Sequence, residues 1–121
     1  MGQFHVLAKL TGPTAIAETV SLLVDTGATF LTIPHSLAER LQLQPRRTLR
    51  IVAAGGREEV RPLADVRIEL EGHEVPTPCL IAPGGPPLLG AVALESLVLA
   101  VDPVRKRLVP STAYVLELAR T

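Results

Sequence analysis

Val20-Ser21-Leu22-Leu23-Val24-Asp25-Thr26-Gly27-Ala28-Thr29 is the stretch whose reading decides the fold. An apolar run rich in β-formers delivers one carboxylate into a tight turn that holds a glycine, a small residue and two hydroxyls. An aspartate at the end of a buried strand is costly unless hydrogen-bonded or paired, because desolvation disfavours its charged form. Thr26 offers a hydroxyl, and Gly27 lets backbone approach closely. Alone, the turn has a plainer reading, an ordinary Asx-type turn between two strands.

Outward from this stretch the pattern is that of short strands. Toward the N-terminus, Phe4, Val6, Ala8 and Leu10 alternate with His5, Leu7 and Lys9, which is strand period. Thr11-Gly12-Pro13-Thr14 ends that strand, and a second runs from about Ala15 to Val24. Beyond the Asp25 loop, Phe30 to Ile33 reads as a short strand stopped by Pro34. Ser36-Leu37-Ala38-Glu39 matches a capping box and predicts a short helix to about Leu41. Thr48 to Ala54 and Arg57 to Arg61 flank Gly55-Gly56, the signature of a two-residue hairpin. Leu63 to Glu71 and Glu74 to Ile81 are further strands joined at Gly72-His73; Pro76 and Pro78 put the second at an edge or make it irregular. A stiff Pro/Gly loop at 82–87 leads to Leu88-Leu89-Gly90, a short helix over Ala91 to Leu97, and strands around Val98 to Asp102 and Arg107 to Val109. Ser111 to Thr121 fits strand or helix, and its apolar Ala113, Val115, Leu116 and Leu118 would suit an interface.

Size and composition narrow the class. The 121 residues make one domain, 1–121, and the 47% hydrophobic content with almost no aromatics implies an aliphatic core. The formal net charge is zero without a Lys/Arg block, so a nucleic-acid partner is not expected. No apolar run approaches the roughly 18–20 residues that cross a bilayer, so no membrane partner is expected either. The N-terminal residues lack a basic region followed by a long apolar stretch, and Cys79 is the single cysteine; both favour the reducing cytoplasm. Cys79 reads as a buried small hydrophobe, and His5, His35 and His73 are not at metal-ligand spacing with it. No Gly-x-Ser-x-Gly elbow or phosphate loop is present.

The order of these parts, together with Asp25-Thr26-Gly27 and Leu88-Leu89-Gly90, resembles the retropepsin-like aspartic proteases, the small dimeric relatives of the pepsins. The resemblance implies an all-β closed barrel with one or two short helices, active as a two-fold dimer. It also implies an endopeptidase that uses no cofactor and no metal. Asp25 would pair with Asp25 of a second copy, since of the three aspartates neither Asp65 nor Asp102 has the Thr-Gly context. Thr26 would lock the two loops across the interface, Gly27 would offer its carbonyl to substrate, and Ala28 and Thr29 would line the site. The hairpin around Val52, Ala53, Ala54, Gly55, Gly56 and Arg57 would be a flap over an extended peptide or protein substrate. Leu88, Leu89 and Gly90 would be the second-half counterpart of the Asp25 loop. Two departures stand out: the family usually carries an aspartate where this chain has Thr29, and this flap has no aromatic residue. An alternative of a different class is the same fold kept as a dimerising or peptide-binding module with little or no turnover. A third is a detached protease domain whose natural partner is a longer chain.

Overall fold

The computed structural model describes residues 3–53 and 55–112. Strand β1 (His5–Thr11) pairs antiparallel along its whole length with β2 (Ala17–Val24). Its alternation is the expected one: Ala8 and Leu10 are buried while Leu7 is exposed. β2 begins two residues later than the sequence suggests. Ala15 takes a positive φ of 69°, and the Gly12 N–H donates to the Ile16 carbonyl, so the turn extends past Pro13-Thr14.

Strand β3 (Leu31–Pro34) runs directly into helix α1 (His35–Arg40). The expected capping box does not form. Pro34 ends the strand in an extended conformation and is itself the N-cap, with no side-chain cap bond. Ser36 therefore lies inside the helix, and Glu39 faces His35, 3.7 Å away, one turn earlier.

Strands β4 (Arg47–Val52) and β5 (Glu58–Leu70) form the hairpin, with Val52 opposite Glu58 and Arg47 opposite Leu63. The turn is not the two-residue Gly-Gly loop. It runs from Ala53 to Gly56, closed by the Gly56 N–H donating to the Ala53 carbonyl, with a further bond from Ala53 N–H to the Arg57 carbonyl. Both glycines have positive φ, +88° at Gly55 and +83° at Gly56, which is why glycine stands at each. β5 passes through Pro62 without a break and continues to Leu70.

Strand β6 (His73–Ala82) pairs antiparallel with β5 over 73–80 and parallel with β3 only from Cys79 onward. Pro76 and Pro78 thus fall in the half that is paired on one side, where a missing donor costs least. Strand β7 (Leu88–Leu89) sits between β2 and β3, followed by helix α2 (Ala91–Leu97). Strands β8 (Leu99–Asp102) and β9 (Arg107–Pro110) make a separate two-stranded sheet.

The large sheet has the order β1-β2-β7-β3-β6-β5-β4. A further pairing of β1 with β5, Lys9 to Glu69 through Thr11 to Arg67, curls it into a closed barrel. β4 and the first part of β5 stand outside that closure as a projecting arm. The core is aliphatic as composition implied, with Leu10, Leu22, Leu31, Ile33, Ile68 and Leu89 fully buried. Cys79 is fully buried with them, and burial pushes its thiol up to about 12.

Candidate active site

Asp25 is held by what surrounds its backbone. β7 lies parallel to the end of β2, with Leu23 beside Leu88 and Val24 beside Leu89. The Asp25 N–H donates to the Leu89 carbonyl at 3.0 Å, and the Leu23 N–H to the Pro87 carbonyl at 3.0 Å. The turn closes when the Ala28 N–H donates to the Asp25 carbonyl at 3.1 Å. The Gly27 N–H then donates to Asp25 Oδ1 at 3.0 Å, leaving Oδ2 free of hydrogen bonds from the described residues. The half-buried carboxylate is thus satisfied by Gly27 and not by the Thr26 hydroxyl, since Thr26 is exposed.

The loop is buttressed from below by the second motif. The N–H groups of Ala91 and Val92 donate to the carbonyls of Ala28 and Thr29, both at 2.8 Å. Helix α2 has no side-chain cap and no acidic residue in its first turn, so the Asp25 loop supplies acceptors for its unpaired N-terminal donors. Gly90 makes that approach possible. A Cβ there would lie 2.5 Å from the Phe30 carbonyl oxygen and 2.7 Å from that of Ala28. Leu88-Leu89-Gly90 is therefore the mount of the loop.

Above Asp25 a groove of about 760 Å³ separates the loop from the projecting hairpin. Of the residues expected at the site, Asp25, Gly27, Ala28, Thr29, Val52 and Leu88 line it. Thr26 lies to the other side, bordering a smaller hollow of about 260 Å³ with Asp25, Phe4 and Val101. Leu89 and Gly90 are buried beneath the loop. Ala53, Gly55, Gly56 and Arg57 are at the tip of the hairpin and do not line the groove; Ala54 lies outside the described residues, as do Ala113, Val115, Leu116 and Leu118.

Sequence reading missed the far wall, which is built from Leu49, Ile51, Arg61 and Leu80, with Phe30 and Thr32 behind the loop. The signal was register: counting back by twos from the hairpin turn puts Ile51 and Leu49 on one face, opposite Glu59 and Arg61. The other aspartates are elsewhere. Asp65 is exposed and pairs with Arg46 at 2.8 Å. Asp102 accepts bonds from the backbone and guanidinium of Arg105 and from the Val104 N–H, which hold its carboxyl below the usual range. Among the described residues Asp25 is the one acid lining the groove.

Against known proteins, a family model described as aspartyl protease matches residues 8–94. No curated protein matches the chain in sequence. Among solved structures, the EIAV protease complexed with the inhibitor HBY-793 is 21% identical with a TM-score of 0.62, over 78% of this chain and 88% of that one. The solution structure of the simian foamy virus (mac) protease is 20% identical with a TM-score of 0.56, over 76% of this chain and 92% of that one. The fold is thus that of the retroviral proteases.

Proposed function

The chain belongs to the aspartyl protease family, and from that premise we propose that it is an endopeptidase working as a homodimer on extended peptide segments. The observation that carries this reading is the posture of Asp25: one oxygen fixed by Gly27, the other without a hydrogen bond from the described residues, at the floor of a groove roofed by a hairpin. One carboxylate does half of the chemistry. Hydrolysis without a nucleophilic side chain needs a base to take a proton from water and an acid to donate to the substrate carbonyl oxygen. Two carboxylates about 3 Å apart share one proton and serve as that pair.

The second carboxylate is Asp25 of another copy, brought in by a two-fold axis past the loop. The placement of Thr26 supports this. It is exposed on the side of Asp25 away from the groove, bordering the hollow that a partner's identical loop would enter. There each Thr26 hydroxyl finds an acceptor in the facing loop. Substrate lies along the groove as an added strand, with the Gly27 carbonyl accepting from its backbone and Ala28, Leu88 and Ile51 giving an apolar wall. The hairpin closes over it, and its two positive-φ glycines supply the hinge freedom at the tip.

The test is cleavage of a quenched peptide library between acid and neutral pH, with Asp25→Asn as control, beside light scattering for mass. A dimer whose wild-type form cleaves and whose Asp25→Asn form is at least about a thousandfold slower is expected, since the charge-stabilising and proton-transfer roles are lost together. A strict monomer at high concentration, or equal cleavage by both forms, refutes the proposal. Binding without cleavage leaves a peptide-binding module.

A further inference from the structure

The inner face of the hairpin carries a row of charge where a peptide-binding roof is otherwise apolar. Cross-strand register places Arg61 opposite Leu49 and Glu59 opposite Ile51 on one face, and just beyond the ladder, where the Ala53 N–H donates to the Arg57 carbonyl, the Arg57 side chain reaches Glu59 on that face. Leu49, Ile51 and Arg61 line the groove together with Arg50 and Val52 of the other parity, and burial marks the inward face: the side chains of Arg61 and Glu59 are 21% and 20% exposed, against 76% and 64% for the Arg50–Glu58 pair. Glu59 is fully engaged. Its Oε2 accepts from Arg57 at 3.0 Å, and its Oε1 accepts from Arg61.

One carboxylate between two guanidinium groups leaves one positive charge unmatched. The acids nearest in sequence do not supply the match. Glu58 is on the opposite face of β5, 3.6 Å from Arg50, and Asp65 is taken by Arg46. Among the described residues, the acid that lines the groove is Asp25, on the floor. A guanidinium carries five donors in a planar fork, and Arg61 spends one of them on Glu59.

We infer that the groove selects peptides bearing a carboxylate side chain, Glu or Asp, at a position that points up to the hairpin, where Arg61 and Arg57 receive it. In an extended peptide alternate side chains face the roof, so the preference falls on one parity of positions. Arg57, 78% exposed at the tip, closes on the incoming acid, while Arg61 waits in the wall. The inference rests on the proposed peptide-binding groove and names its substrate class.

The experiment separates the two. Asp25→Asn protein is titrated with fluorescein-labelled ten-residue peptides of one apolar sequence, in which Glu, Gln or Lys replaces each position in turn, and wild-type protein is assayed for cleavage of the same set. At one parity of positions Glu should bind about tenfold tighter than Gln, and Lys more weakly than Gln, the advantage shrinking as salt rises. Arg61→Gln and Arg57→Gln should each narrow the ratio of Glu-peptide to Gln-peptide affinity measured on the same variant, and the double variant should bring that ratio to about one. Absence of a Glu advantage at every position, whether all bind alike or none binds, overturns the inference, as does an advantage that the double variant keeps. Cleavage without charge preference defeats the inference and leaves the protease; Glu-selective binding without cleavage does the reverse.

Discussion

Two side chains show how local surroundings set chemistry in this chain. Asp25 meets the Gly27 N–H at the edge of an open groove, where a carboxylate keeps access to solvent and to a reaction partner. Cys79 sits in the closed half of the barrel, fully buried, and burial pushes its thiol up to about 12 from an ordinary value of 9.0. The sign of the consequence follows from linkage. The folded state holds the thiol proton that the unfolded chain gives up first, so this contribution is whole below pH 9 and is lost as the pH climbs toward about 12. The loss is about 1.4 kcal/mol per pH unit in that window. Urea unfolding of wild type and Cys79→Ala between pH 8 and 10.5 should show the wild-type midpoint falling faster, with the difference opening only above about pH 9. Parallel curves would mean that the thiol ionises in the folded chain as it does in the unfolded one.

At the scale of elements, β7 and α2 exist to hold a loop that is distant in sequence. Gly90 is the contact point, and a methyl group there meets two carbonyl oxygens that belong to backbone and cannot rotate away. Gly90→Ala should destabilise the fold by about 2 kcal/mol, in the range of overpacking substitutions. It should also cost more in kcat than in KM, because the displaced segment carries the Asp25 loop. Thermal melts with steady-state kinetics check both; an unchanged kcat would detach the mount from the chemistry. What was legible in sequence follows the same division. Period and punctuation gave β1 and α2 nearly to the residue, and the two motifs gave floor and mount. The capping box failed because Pro34 had already ended β3 and started the helix, and the hairpin turn lay one residue earlier than its glycines suggested. The groove's far wall was hidden for a related reason. Leu49, Ile51 and Arg61 become neighbours of Asp25 only through register and the curl of the sheet, which no local pattern records.

For the whole molecule, the closed barrel and the half-built site pull in different directions. Pairing of β1 with β5 leaves a chain that buries its own core and holds its own loop without help. Yet among the described residues the groove offers one acid, and the chemistry proposed for it needs two. On the proposed mechanism, folding and catalysis depend on different associations: the barrel closes within one chain, while the dyad draws on two. This yields a quantitative expectation for mixed subunits. If activity requires Asp25 from both members of a dimer, exchange with inactive Asp25→Asn chains sequesters active ones in dead pairs. The activity of a fixed amount of wild type should then fall in proportion to the wild-type fraction, to about half at equal amounts and about a quarter at threefold excess, for random two-fold pairing. A chain that acts alone keeps its full activity at every ratio, because added Asp25→Asn protein takes nothing from it. Mixing the two forms, allowing exchange, and assaying one fluorogenic peptide distinguishes these outcomes. The proportional decline ties the carboxylate of one subunit to that of its mate, and a flat line breaks the tie whatever the molecular mass in solution.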